Sequence, residues 1–362
     1  MILELLLILS TLFYVAAVFA VLRLFIKAKN ITSGTQPFIS VIIAARNEAK
    51  RIKPTLDSLS KINYPQEKFE IILVNDNSSD DTAKIINAYL DRQDNWKLIN
   101  LDREKESLAG KKAALNKAIE TAKGEIILTT DADCRVQENW LLEVAAKFDD
   151  QTIMVLGHSV IEEKPGFLDK LLRFDNLFSG IMVAAPTLAG VPMSSVGRNL
   201  AYRKEAYLQV GGYNKLSQHK SGDDVHLTEL FRNELKGKIR FCFATFTITK
   251  RPDTFREILF QQIRKNSKLL KKSFGSVLMA LILFFYLVFL IVFPLLFQTS
   301  ISIWILALAM KLILEFITLR VAAQKLGDLK LAPYFPFMQI FYPFYVTVMA
   351  ILGVFQIYEW KR

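Results

Sequence analysis

Ile126-Ile127-Leu128-Thr129-Thr130-Asp131-Ala132-Asp133 joins an apolar, β-branched run to two carboxylates with nothing between them. A short run of this kind, bounded by polar residues, reads as a strand buried inside a sheet. Two carboxylates two residues apart in the turn that follows can bridge one divalent cation, and hard oxygen ligands suit Mg²⁺ or Mn²⁺. Acidic turns also cap helices, so the weight of this reading comes from its surroundings. Outward from it the pattern repeats. Strands are expected at 39–45, 71–75, 97–100 and 126–130, with helices at 47–61, 80–91, 111–123 and 138–148 between or after them. That alternation predicts βαβ units on a mixed, mainly parallel sheet, an α/β domain over residues 36–250.

Polar residues gather where these strands end: Arg46, Asn47 and Glu48 after the first, residues 76–81 after the second, Asp131 and Asp133 after the fourth. In an open parallel sheet those ends face one crevice, where ligands bind. No GxGxxG follows the first strand and no GxxxxGK[ST] occurs, so a nucleotide has to be held without either phosphate cradle. Asp76, directly after its strand, is placed to accept from a base N–H, whereas Asp80 and Asp81 read as first-turn residues of the next helix. Lys111 and Lys112 open a helix, where cations oppose the macrodipole unless an anion is bound nearby; phosphate contact is expected. Gly222-Asp223-Asp224 reads either as a solvated cap or as a second acidic cluster facing the first, able to supply a base. Gly197-Arg198-Asn199 and Gly211-Gly212 suggest tight turns lining the pocket. His158, His219 and His226 show no ligand spacing and read as structural, and Cys134 and Cys242 lack any zinc spacing and read as reduced thiols.

The 362 residues leave room for about two domains. Hydrophobic residues make up 52% and charged residues 22%, an apolar excess that excludes disorder. The excess lies at the two ends. Residues 5–22 carry no charge and are followed by Arg23, Lys27 and Lys29, so an uncleaved anchor over 1–26 is expected rather than a signal peptide. Residues 277–310 are also uncharged but broken by Pro294 and Gln298-Thr299-Ser300, which predicts a hairpin of helices at about 277–297 and 301–320. Lys311 and Glu315, four apart, should neutralise each other inside it. Residues 331–358 contain Pro333, Pro336 and Pro343, so their first half is expected to be re-entrant or interfacial. The region 275–362 thus holds two to three membrane helices. Positive-inside counting puts Lys27, Lys29, Lys268, Lys271, Lys272, Arg320, Lys325 and Lys330 on one side, which predicts a multi-pass protein of the inner or plasma membrane with its polar middle in the cytoplasm.

Lys and Arg outnumber Asp and Glu by 46 to 35, a net +11 that calls for an anionic partner. Residues 250–272 hold eight basic and two acidic residues among apolar ones at helical spacing. This describes an amphipathic helix over 251–274 lying on an anionic leaflet, and nucleic acid is not expected as a partner.

The order of motifs resembles the membrane-bound family 2 glycosyltransferases, which have the GT-A fold and invert the anomeric centre. The resemblance rests on residues 41–48, 74–80, 110–116, Asp131-Ala132-Asp133, Gly197-Arg198-Asn199, Gly211-Gly212-Tyr213 and Gly222-Asp223-Asp224. It implies that Glu48 and Asp76 hold the nucleoside, that Lys111 lies near the phosphates, and that Asp131 and Asp133 form the metal-binding DxD. Arg46 and Asn199 complete the expected donor-binding set. Asp224 matches the usual base, with Asp223 where Glu is commoner. Gln261, Gln262 and Arg264 match the family's interface-helix motif on the acceptor side, but Lys265 stands where chain-extending synthases tend to have Trp. The resemblance therefore implies single addition of a sugar from a nucleoside-diphosphate donor, with a family-level lean to UDP, to a hydroxyl of a membrane-associated lipid. The alternatives are a processive polysaccharide synthase, a membrane-bound nucleotidyltransferase, or a non-catalytic binding scaffold.

Overall fold

From its amino end the chain runs through helix α1 (Ile2–Lys27) into an alternating segment: β1 (Ile39–Ala45), α2 (Ile52–Leu59), β2 (Phe69–Asn75), α3 (Thr82–Leu90), β3 (Trp96–Asn100), α4 (Lys111–Thr121) and β4 (Ile126–Asp131). The computed structural model describes residues 2–28, 33–102, 104, 108, 110–218, 222–252, 254–267, 274–296 and 301–355. Lys29, Lys268, Lys271, Lys272, Lys361, Arg362, His219 and the expected turn at 298–300 lie outside the described residues.

The four strands pair in parallel, with Ile39 opposite both Phe69 and Ile126, and Ile71 opposite Trp96. Parallel neighbours need crossovers, and α2, α3 and α4 supply them. Alternate residues of β1 then enter opposite layers: Val41 and Ile43 pack with Ile52 and Leu56 of α2, whereas Ile42 packs with Ala113, Ala114 and Ala118 of α4. This double burial explains why the strands read as continuous apolar runs. The helix expected at 47–61 starts only at Ile52, because Asn47 at φ 55° turns the chain out of helical geometry.

The second half adds β5 (Cys134–Arg135), α5 (Trp140–Ala145), β6 (Thr152–Ile161), α6 (Phe167–Leu188), β7 (Leu200–Arg203), α7 (Lys204–Gln209), α8 (Gly212–Lys215), α9 (Asp223–Glu234) and β8 (Lys238–Thr249). β7 runs antiparallel to β4 and β6, and β8 is parallel to β6 and antiparallel to β5, so the sheet order is β3-β2-β1-β4-β7-β6-β8-β5. The sheet is mixed and mostly parallel, the arrangement expected for a GT-A domain.

Four helices follow: α10 (Phe255–Asn266), α11 (Phe274–Leu296), α12 (Ile301–Lys325) and α13 (Phe335–Val354). Among the described residues three segments are long and apolar enough to cross a membrane, Ile2–Lys27, Ile301–Lys325 and Leu329–Val354, and α11 carries a shorter apolar stretch, Leu281–Leu295. The proline-rich run, whose first half is expected to be re-entrant or interfacial, is helical. Pro333 lies in a 3₁₀ turn at Leu329–Tyr334, Pro336 falls in the first turn of α13, where its missing N–H leaves nothing unpaired, and only Pro343 is interior. The run is therefore helical from its start. Inside the bundle Lys311 Nζ lies 2.9 Å from Glu315 Oε2 and 2.8 Å from Gln339 Oε1, while Tyr14 donates to Glu315. Each charge thus has a partner away from water.

Candidate active site

The carboxyl ends of β1, β2 and β4 lie side by side, since Ala45 is registered on Asn75 and Ala44 on Asp131. Two asparagines with left-handed backbone, Asn47 and Asn77 at φ 52°, shape the loops that leave β1 and β2. The loops then clip together. Ser79 N–H donates to Asn47 Oδ1 at 2.8 Å, Glu48 N–H to Thr82 Oγ1 at 2.8 Å, and Ala49 N–H to Asp80 Oδ2 at 3.1 Å. Asp80 is thereby a loop clip and helix-start residue, as its place in the sequence suggests. Arg46 stays exposed at the rim, Glu48 is half-buried, and Asp76 is buried at the cleft floor.

One ligand atom each of Asp131, Asp133 and Cys134 lies within 4.8 Å of the others. Lys111 forms an ion pair with Asp131. Arg198 reaches in from the turn before β7 and donates to Thr249 Oγ1 at 2.9 Å. Burial alone would push Asp131 up, but Lys111, Arg198 and Arg264 hold its carboxyl below the ordinary aspartate value. Asp133 is pushed the other way, by burial and by the negative charge of Asp131. Burial, then Asp131, drives the Cys134 thiol up to about 12, so it stays protonated. The donor set that remains is two crowded carboxylates, which fits a hard divalent cation. Burial works against the charge of Arg198, yet the carboxylates of Asp131, Asp133 and Asp224 together push its guanidinium upward.

Asp224 enters from the first turn of α9, where the helix dipole favours a carboxylate. Its Oδ2 accepts the backbone N–H of Gly197 at 2.8 Å. Glycine eases that approach: a Cβ there would meet Asp224 Cβ at 3.3 Å, a tight contact. Thr129 of β4 donates to Gly197 O at 2.7 Å, tying the same turn to the strand that leads to Asp131. Two acidic stretches about ninety residues apart are so brought to one cleft, with Lys111 and Arg198 feeling the charge of both.

Other residues depart from the sequence expectations. Asn199 is 2% exposed, accepts from Trp140 Nε1 at 3.0 Å and donates to His158 O at 2.9 Å. It is a strut behind the cleft, and its neighbour Arg198 is the side chain that enters. Lys112 turns into the core, donates to Leu216 O at 2.8 Å and lies 3.9 Å from Asp223 Oδ1, whereas Lys111 pairs with Asp131. Asp223 accordingly faces Lys112. On α10, Gln262 is buried, Gln261 is exposed, and Arg264 acts on the charge of Asp131. Lys265 Nζ lies 2.5 Å from Asp175 Oδ2, and Tyr342 of α13 donates to Asp175 Oδ1 at 3.2 Å, so α10 is fastened to α6 and to a membrane helix. His158 is buried against Gly180, and burial followed by Arg198 and Lys265 pushes its imidazole down to about 3. Arg198 lies in the turn Gly197-Arg198-Asn199 that the sequence marks as lining the pocket, but nothing local singles it out from its neighbour Asn199.

A curled, mostly parallel sheet with paired carboxylates after its fourth strand defines the GT-A class. Residues 40–211 match the family described as glycosyl transferase family 2, and residues 126–354 match glycosyl transferase family group 2. The chain belongs to the family 2 glycosyltransferases. It is 28% identical over 224 residues to a probable glycosyltransferase of Bacillus subtilis, covering 61% of this chain and 52% of that protein. It is 28% identical over 197 residues to a beta-monoglucosyldiacylglycerol synthase of Trichormus variabilis, 54% of this chain and 41% of that one. It is also 30% identical over 176 residues to a poly-beta-1,6-N-acetyl-D-glucosamine synthase of Staphylococcus epidermidis, 48% of this chain and 41% of the relative. The chain thus spans about half the length of the curated relatives it matches. A mannosyltransferase of Pyrobaculum calidifontis, solved with GDP-Man and Mn²⁺, shares the fold over 98% of this chain and 96% of its own, with TM-score 0.58 and 18% identity.

Proposed function

We propose that this chain transfers one sugar from a nucleoside-diphosphate sugar to a hydroxyl of a membrane-associated lipid, with inversion, in a cleft on the cytoplasmic side. The observation that carries the reading is the meeting of Lys111, Asp131, Asp133, Arg198 and Asp224, drawn from separate stretches, beside helices able to enter a membrane. Asp131 and Asp133 would hold a divalent cation, Mg²⁺ or Mn²⁺, which would offset the charge that develops on the departing diphosphate. Lys111 and Arg198 add fixed positive charge to the same region. Asp224 keeps Oδ2 on Gly197 and directs Oδ1 to the proton of the acceptor hydroxyl, which leaves as the hydroxyl oxygen attacks the anomeric carbon. Glu48 and Asp76, at the ends of β1 and β2, are assigned to the nucleoside.

Relatives include both a lipid glucosyl synthase and a polysaccharide synthase. Lys265, engaged with Asp175 where chain-extending members tend to carry Trp, supports single addition. Purified chain incubated with sugar nucleotides and lipid extract should release a nucleoside diphosphate and make a product one sugar heavier. EDTA should abolish turnover and Mn²⁺ or Mg²⁺ restore it. Products longer than one sugar would make it a polymerase, and turnover indifferent to chelation would remove the cation from Asp131 and Asp133.

A further inference from the structure

We propose that the outer face of α6 and the loop after it, residues 189–193, lie in the boundary between the head groups and acyl chains of a lipid leaflet. This contact is separate from the helices long enough to cross, and it needs no sugar transfer.

Residues 176–197 carry no charge, in a chain that is 22% charged. The inner face of α6 packs Phe174, Leu177 and Ile181 into the core, so water on the outer face calls for polar residues there. Phe178 and Met182, one turn apart, are instead 44% and 49% exposed, and Val191 and Met193 in the loop are 53% and 40% exposed. Helices packed on the same core layer expose charge: Lys111 and Glu120 on α4, Arg232 and Glu234 on α9. The polar groups that α6 does carry here bond within the protein. Asn176 Nδ2 donates to Ser159 O at 2.6 Å, Ser179 Oγ to Asp175 O at 2.9 Å, and Thr187 Oγ1 to Val183 O at 2.6 Å. Internal satisfaction of that kind is what lipid demands and water does not.

Continuity names lipid as the occupant. The ring of Tyr342 on α13 lies 5.1 Å from that of Phe174 and 5.8 Å from that of Phe178, and Phe341 lies 5.0 Å from Phe167. Phe167 and Phe341 are both exposed, and α13 belongs to the candidate span Leu329–Val354. The apolar surface of α6 therefore runs into that of a helix fit to enter a membrane, and one medium covers both. At the rim, Arg232 donates to Pro192 O at 2.9 Å, which holds the loop and places a cation where lipid phosphates lie. The uncharged stretch ends at Gly197, whose N–H holds Asp224, so the leaflet is brought up to the cleft.

Cys134 and Cys242 are buried, so Met182→Cys and Met193→Cys, at exposed positions, each give one accessible thiol for an environment-sensitive fluorophore. Asn87→Cys is the reference, exposed on α3, which packs on the other layer of the sheet. Each labelled full chain, with a melting profile like the parent's, is placed in nanodiscs of phosphatidylethanolamine and phosphatidylglycerol that carry a nitroxide lipid. Interfacial faces sink roughly 5–10 Å below the head groups, so emission from positions 182 and 193 should shift to the blue. It should also fall roughly threefold further with the nitroxide near the acyl carbonyl than at the chain end, while position 87 stays unchanged. Quenching at 182 and 193 no greater than at 87 would overturn the contact. A blue shift without quenching would put protein rather than lipid against this face and overturn it as well.

Discussion

The half of the domain built on β1 to β4 and the half built on β5 to β8 hold the same cleft by different means. In the first, the inner strands β1, β2 and β4 are buried, mainly apolar runs, parallel neighbours pair in register, and the loops are fastened by contacts such as Ser79 to Asn47. In the second, position depends on charged pairs between distant elements: Arg173 on α6 with Asp328 after α12, Lys265 on α10 with Asp175 on α6, and Arg198 with the acids of β4 and α9. The first half is held by apolar burial and backbone pairing, which tolerate substitution of surface charges. The second couples the cleft to the membrane helices through charges that desolvate together, so it fails when one partner is removed.

Asp224→Asn should have the largest effect, because it removes the proposed base and leaves the proposed donor-binding groups in place. Transfer should fall about 10²–10⁴-fold while donor affinity, read by titration of the sugar nucleotide, changes little; near wild-type transfer would detach Asp224 from the chemistry. Arg198→Gln should lower kcat about 10²–10³-fold with a smaller change in donor KM, since its charge is needed most when the diphosphate departs. An equal loss in binding and turnover would assign Arg198 to ground-state binding alone. Asp328→Leu should destabilise the chain by about 3–5 kcal/mol in detergent melts, with Arg173→Leu added to it restoring part of the loss. Additive effects would show that α6 and the turn after α12 are not coupled through this pair.

The smallest effect belongs to the first half. Glu70 is buried on β2, accepts from Ser40 Oγ and Lys123 N–H, both at 2.6 Å, and lies 3.0 Å from Lys97. Burial opposes its charge, but these donors hold the carboxyl below the ordinary glutamate value. Its contribution is therefore complete above the unfolded value and is lost as pH falls through the lower folded one. Glu70→Gln should cost about 1–2 kcal/mol at neutral pH and flatten the fall in melting temperature on acidification. A variant whose acid sensitivity matches the parent would place that sensitivity elsewhere.

Strands β1, β2 and β4 are legible because burial on both faces favours apolar residues in near-continuous runs, while the edge strand β3 is marked by a shorter, half-buried run; all four sit in the sequence within two residues of their observed ends. The acidic turn after β4 was legible for the same reason, since a polar pair that follows a buried strand at once has only the sheet edge to occupy. The surroundings of Asn199 and Lys112 are not legible in sequence, because a polar residue in a turn or at a helix start looks the same whether it faces a cleft or satisfies a buried partner. Trp140 and the Leu216 carbonyl, which decide the matter, lie 59 and 104 residues away.

The sequence by itself determined the layered α/β core, the apolar helices at both ends and the kind of groups available for catalysis, because periodicity and composition are local properties. Only the tertiary structure decided that Asn199 is buried between Trp140 and His158 while Arg198 reaches Thr249, that Asp224 is held on Gly197, and that paired charges wall a cavity beside the apolar helices. Those facts depend on which groups lose water together, and desolvation is a property of the packed molecule.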